Sequence, residues 1–158
     1  GLEVAGSYED GCRFAEARAS GDGVADDELL LVHDAARPNL HADDITKLIA
    51  AATDCDDGAI LAAPVRDTLK RADAGQRITS TESRDGLWRA LTPQAFRRDL
   101  LCRALAGAKV DGLVVTDEAM AVEILGRHPA LVEGREDNLK VTTPADLALA
   151  EFLLARHA

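Results

Sequence analysis

Asp34 stands just after Leu29-Leu30-Leu31-Val32, an apolar run without alternation that reads as a strand covered on both faces. Open parallel sheets bind ligands at the carboxyl ends of their strands. A carboxylate placed there can hold a divalent cation that bridges phosphate oxygens, because Mg²⁺ usually takes only one or two protein carboxylates besides the substrate's phosphates. The same residue could instead cap its loop and pair with Arg37. Lys140 lies in a polar loop, Glu133 to Thr142, that runs into a short apolar stretch. A Lys at a strand end can meet a phosphate as a point charge. Arg98 falls near the start of a helix, where backbone N–H groups favour anions and a fork-shaped guanidinium suits bidentate phosphate binding. Either cation could equally be an ordinary solvated charge.

Other chemistries have little support. His33, His41, His128 and His157 have no metal-ligand spacing, and His33 reads as a hydrogen-bonding neighbour of Asp34 rather than a base. No G-x-S-x-G, Walker A or G-x-G-x-x-G element occurs. Cys12, Cys55 and Cys102 are an odd number, far apart and without a C-x-x-C pair, so they read as reduced thiols in a cytoplasmic protein.

The elements that must position these residues follow from pattern. Leu29–Val32 is a strand, and Pro38 disfavours helix at Arg37, so a loop follows. Asp43 to Thr53 reads as an amphipathic helix with Ile45, Leu48, Ile49 and Ala52 on one face, and Gly58 to Val65 as a second buried strand. Strand, helix, strand in this order is a βαβ unit and implies a parallel sheet. Thr68–Arg71 and Arg77–Thr81 flank Ala72–Gln76 as a hairpin outside the main sheet. Leu87–Thr92 reads as a strand, Ala95–Ala106 as a helix, and a further helix starts near Thr116, which can cap it, with Asp117 and Glu118 in its first turn. Ala130–Val132 and Leu139–Val141 are short strands. Thr143-Pro144-Ala145-Asp146 announces a last helix running to about Arg156, while Tyr8–Ser20 is a possible helix.

The 158 residues are 47% apolar and 29% charged, with 28 acids against 18 bases and a net charge of −10. That composition fits one globular domain and excludes disorder, and no apolar stretch approaches the ~20 residues of a membrane span. Nothing at the N-terminus has the sections of a signal peptide. The segment 66–103 carries nine bases and five acids, +4, which leaves −14 for the remainder. An acidic chain with one basic segment is a poor nucleic-acid binder. A local basic cluster suits a small phosphorylated ligand, or is simply a face of mixed charge.

Taken in order, LLVHDAARP (30–38), GAILAAPVRDTLKR (58–71), GLWRALTPQAFRRDLL (86–101), TDEA (116–119) and LVEGREDNLKVTTPADLALAEFLL (131–154) resemble the 2-C-methyl-D-erythritol 4-phosphate cytidylyltransferases of the non-mevalonate isoprenoid pathway. The resemblance implies an α/β, Rossmann-like nucleotidyltransferase fold that joins CTP to methylerythritol phosphate and releases pyrophosphate, with Mg²⁺ and cationic side chains offsetting the charge. It implies that Asp34 lies beside metal and nucleotide, that Ala35 and Arg37 shape that pocket, and that Arg98 and Lys140 hold the methylerythritol phosphate. Thr68 matches a threonine near the sugar phosphate. The hairpin, about Asp67 to Trp88, matches an arm exchanged in a homodimer, so that Thr68 and Arg98 would serve the partner's site. On this resemblance the +4 segment becomes a phosphate-binding feature.

Members of that family begin with a strand and a glycine-rich loop whose Arg and Lys cradle the triphosphate, and this chain opens at Gly1 without them. The expectation is therefore a single cytidylyltransferase domain over residues 1–158, N-terminally incomplete. The family's Arg-x-x-Ser segment is also not reproduced at Tyr8–Cys12. Three other readings stay open: a cytidylyltransferase for another polyol phosphate such as ribitol phosphate, a catalytically silent dimerisation module on the same fold, and a phospho-acceptor receiver domain. The hairpin argues against the last.

Overall fold

The computed structural model describes residues 26–156. The helix expected at Tyr8–Ser20, the Tyr8–Cys12 segment and Cys12 lie outside them. Four strands form the main sheet: β1 (Leu29–Val32), β2 (Ala59–Pro64), β5 (Trp88–Arg97) and β6 (Ala130–Glu133), in the order β1-β5-β2-β6. β2 and β6 are parallel neighbours, and β5 is antiparallel to both β1 and β2. Three strands thus share one direction, and β5 runs against them. β1 and β2 are parallel in direction, as the βαβ reading requires, but β5 lies between them.

The sheet is covered on both faces because β2 alternates. Ala59, Leu61 and Ala63 pack with Leu48 and Ala52 of α1 (Ala42–Asp54), while Ile60 turns to the opposite core. There it meets Phe96, with Leu100, Leu101 and Ala104 of α2 (Arg98–Val110) and Ala119, Ala121 and Val122 of α3 (Glu118–Ile124). Helix, sheet and helices form three layers, which is why both strands read as unbroken apolar runs.

Several element boundaries differ from the sequence reading. Ala95 and Phe96 belong to β5 rather than to a helix, since both are fully buried in an interior strand, and α2 starts only at Arg98. Asp117, not Thr116, caps α3 by accepting the Met120 N–H at 2.9 Å. Leu139–Val141 is not a strand, although the Val141 N–H does donate to the Ala36 carbonyl at 2.8 Å. On α1 the buried face includes Asp44 while Ile49 is exposed, because the Asp44 carboxylate accepts the Arg135 N–H at 3.0 Å.

β3 (Leu69–Ala72) and β4 (Ile78–Glu82) pair as a separate two-stranded sheet, the hairpin outside the main sheet that the sequence predicts. Asp73 shapes its tip by accepting the Gly75 and Arg77 N–H groups. No helix among the described residues is long and apolar enough to cross a membrane.

The last helix, α4 (Pro144–Leu154), begins in a reciprocal capping box: Thr143 Oγ1 accepts the Asp146 N–H and Asp146 accepts the Thr143 N–H. Donation from Thr142 and Thr143 lowers the Asp146 carboxyl to about 2. A carboxyl depressed in the folded state stabilises above its unfolded value and loses that contribution as pH falls through the folded one. Acidification from about pH 4 through about pH 2 is therefore expected to fray the start of α4. NMR titration checks this: an Asp146 midpoint at the ordinary aspartate value would remove the capping box.

Candidate active site

The loop that follows β1 is held from both sides. Asp34 Oδ1 accepts the Ala36 N–H at 3.0 Å, and the Asp34 carbonyl accepts the Arg37 N–H at 2.9 Å. Asp34 Oδ2 lies 2.7 Å from Lys140 Nζ. Burial pushes the Asp34 carboxyl up, but the hydrogen bonds from Lys140 and Ala36 and the charges of Lys140 and Arg37 outweigh it, so the group sits below the ordinary aspartate range. It is ionised at neutral pH.

Lys140 reaches that carboxylate because its loop is tied down along its length. The Gly134 N–H donates to the Ala62 carbonyl, Asn39 Nδ2 to the Asp137 carbonyl at 3.2 Å, Arg37 Nη1 to the Asn138 carbonyl at 2.8 Å, and Val141 N–H to Ala36. Glu136 receives Arg66 Nε at 2.8 Å and also pairs with Arg89, which joins the loop to the root of the arm. Buried Asn138 donates from Nδ2 to the Thr92 carbonyl at 2.8 Å. His33 hydrogen-bonds Thr92 and the Arg37 carbonyl, and burial pushes its imidazole below the usual histidine value. It acts as a strut, as its sequence position suggests.

Of the residues expected in the site, the structure brings together Asp34, Arg37 and Lys140, with Ala35 exposed in the same turn. Thr68 is exposed at the root of the arm and follows β2, so it leaves the sheet at the same end as Asp34.

Arg98 is elsewhere within this chain. Arg97 pairs with Leu29, and the Arg98 N–H donates to the Glu28 carbonyl, which puts Arg98 at the far end of β1 from Asp34. Six strand positions correspond to roughly 20 Å. Arg98 is buried, with its Nη1 on Asp26 Oδ1 at 2.9 Å, and the first two N–H groups of α2 are taken by the Glu28 and Asp26 carbonyls. The anion site expected at this helix start is filled by the chain itself.

Five of the eight arginines in the +4 segment face acids rather than one shared phosphate surface: Arg66 and Arg89 on Glu136, Arg71 on Glu82, Arg98 on Asp26, and Arg103 on Asp99.

Sequence reasoning missed Thr92 and Asn138. Neither residue type signals chemistry by itself, and only their place in the long motifs hints at a role.

Among the described residues no group of three or more His, Cys, Asp or Glu side chains is arranged to hold a metal ion. Asp34 offers one ionised carboxylate with a cation already drawn to it. That fits an ion carried in by substrate phosphates, since Mg²⁺ keeps few protein ligands.

Residues 20–156 match the family model of IspD, 2-C-methyl-D-erythritol 4-phosphate cytidylyltransferase. The chain is 60% identical over 136 residues to the 2-C-methyl-D-erythritol 4-phosphate cytidylyltransferase of Xanthomonas campestris pv. campestris strain 8004, covering 86% of this chain and 51% of that protein. It is 55% identical over 144 residues to that of Escherichia coli O127:H6, covering 90% and 59% respectively. A solved 4-diphosphocytidyl-2C-methyl-D-erythritol synthase superposes with a TM-score of 0.84 at 44% identity, covering 92% of this chain and 66% of its own. The 2-C-methyl-D-erythritol 4-phosphate cytidylyltransferase of Thermus thermophilus superposes with a TM-score of 0.80 at 35% identity, covering 93% and 68%. The chain spans about half to three fifths of the length of these curated relatives. With its fold, its identity to curated relatives and a family model running across nearly the whole sequence all in agreement, the chain belongs to the 2-C-methyl-D-erythritol 4-phosphate cytidylyltransferase family.

Proposed function

We propose that the chain contributes the carboxylate and lysine of a site that joins CTP to 2-C-methyl-D-erythritol 4-phosphate. The observation that carries this reading is the Asp34–Lys140 pair, 2.7 Å apart beside Arg37 at the carboxyl end of β1. A phosphate oxygen of the methylerythritol phosphate attacks the α-phosphorus of CTP. The bond from that phosphorus to the bridging β-oxygen breaks, and pyrophosphate leaves. Lys140, half-exposed, is free to swing from Asp34 onto an incoming phosphate as a point charge, and Arg37 stiffens the turn beneath. Asp34 would hold Mg²⁺ together with the triphosphate, and when bound that ion offsets phosphate charge.

The protruding hairpin, with Ile78 two-thirds exposed and Thr68 exposed at its base, is consistent with a homodimer in which Thr68 serves the partner's site, and Arg98 would join it there only by leaving Asp26. Cys55 and Cys102 as thiols fit a reducing cytoplasmic setting.

Calorimetric titration with CTP and Mg²⁺, followed by pyrophosphate release on adding methylerythritol phosphate, tests the proposal on the complete polypeptide that the gene encodes. Absence of CTP binding would sink it. Equal turnover of ribitol phosphate would leave the choice of polyol without support.

A further inference from the structure

We propose that Thr92, His33, Arg37 and Asn138 form a closed hydrogen-bonded ring that positions Asp34 and Lys140 against each other, which makes Thr92 and Asn138 positioning residues of the site. The proposal rests on the reading of Asp34 and Lys140 as the working pair.

Each link has a fixed direction. The Arg37 carbonyl can only accept, so His33 Nε2, 3.1 Å away, carries the proton. In the neutral imidazole Nδ1 is then bare and accepts from Thr92 Oγ1 at 3.0 Å. Arg37 Nη1 donates to the Asn138 carbonyl at 2.8 Å, and Asn138 Nδ2 donates to the Thr92 carbonyl at 2.8 Å. Thr92 thus donates to His33, His33 to Arg37, Arg37 to Asn138, and Asn138 back to Thr92. Within the ring every member donates once and accepts once, so the four residues hold one another in place.

One further bond ties Asp34 to this ring, and another joins the turn after Asp34 to the residue that follows Lys140. The Asp34 N–H donates to Thr92 Oγ1 at 3.0 Å, so the hydroxyl uses its lone pair on the Asp34 loop and its proton on His33. Val141 N–H donates to Ala36 at 2.8 Å, one residue past Lys140. Thr92 and Asn138 are half-buried and fully buried respectively, so water does not readily substitute for lost partners. The ring therefore joins three separate stretches of chain at the point where Asp34 and Lys140 face each other.

Imidazole and amide NMR on the chain as it exists tests the ring. Thr92→Val keeps the side-chain shape and removes the hydroxyl. It is expected to release His33 from its single Nε2–H tautomer, to speed Asp34 and Val141 amide exchange about tenfold, and to weaken the proton contact between the Lys140 and Asp34 side chains. Thr92→Ser is expected to restore all three. Asn138→Ala, which leaves Thr92 intact, should speed Val141 exchange to a similar degree and weaken the same contact. A Thr92→Val variant with the parent tautomer and parent exchange rates overturns the ring, and a disturbed tautomer with an unchanged Lys140–Asp34 contact overturns its positioning role. The functional reading fails separately: if Lys140→Ala takes up methylerythritol phosphate beside CTP and Mg²⁺ as tightly as the parent does while Thr92→Val shows the disturbed ring, the ring stands and the substrate assignment falls.

Discussion

Lys140→Ala is expected to lower pyrophosphate release from CTP by at least about 10³-fold in the complete polypeptide, the range lost when a preorganised cationic group is removed from a phosphoryl-transfer site. The fold should hardly notice. The Asp34–Lys140 pair is partly solvated, with Lys140 51% and Asp34 28% exposed, and such pairs contribute only about 0–1 kcal/mol. Melting should shift by no more than about 4 °C. Asp34→Asn separates the roles further. It keeps the volume, removes the charge that draws Lys140, and takes away the carboxylate proposed to hold an ion on the triphosphate. Lys140→Arg is not expected to rescue, because the guanidinium fork needs room and a planar partner that a point charge does not. Turnover retained in Lys140→Ala, measured as released pyrophosphate beside a melting curve, would show that the pair is only a surface ion pair.

Gly58→Ala should be the most damaging small substitution in the fold. Gly58 sits at φ +84 at the entry to β2, and an added Cβ would lie 2.3 Å from Phe96 Cδ1 and 2.7 Å from the Ala95 carbonyl. The left-handed backbone costs an L-residue roughly 1–2 kcal/mol. Overpacking a rigid core adds about 1–3 kcal/mol more, and neither Phe96, fully buried, nor a strand carbonyl can retreat. A total of about 2–5 kcal/mol is a large share of a domain's ~5–15 kcal/mol. Gly126→Ala is the control, since its φ is +75 but nothing lies within 4 Å of the new Cβ. Only the backbone cost should appear there. Urea denaturation of both variants decides, and equal losses would mean that the contact with β5 carries no weight.

These expectations rest on features of unequal legibility. β1 and β2 could be read directly because strands buried on both faces need unbroken apolar runs. The arm and the α4 cap were also local: a turn-forming Asp73 and a Thr-Pro-x-Asp start each act within a few residues. The full extent of β5 was not legible, because Phe96, Leu100 and Leu101 also fit a helical stripe. Ala95 and Phe96 are strand residues only because β1 and β2 flank them. The same placement puts Arg98 at the far end of β1 from this chain's own Asp34.

The sequence by itself determined what could do chemistry: a carboxylate after a buried strand, a lysine in a polar loop, and motifs specific enough to name a family. Only the tertiary structure decided which of those residues meet. Arg37 and Asn138, 101 positions apart, share a 2.8 Å bond, while Arg98 is held about a strand's length away on Asp26. The reason is that periodicity and capping are set by neighbours in the chain, whereas partners across a sheet are set by register and burial. Those depend on every strand at once.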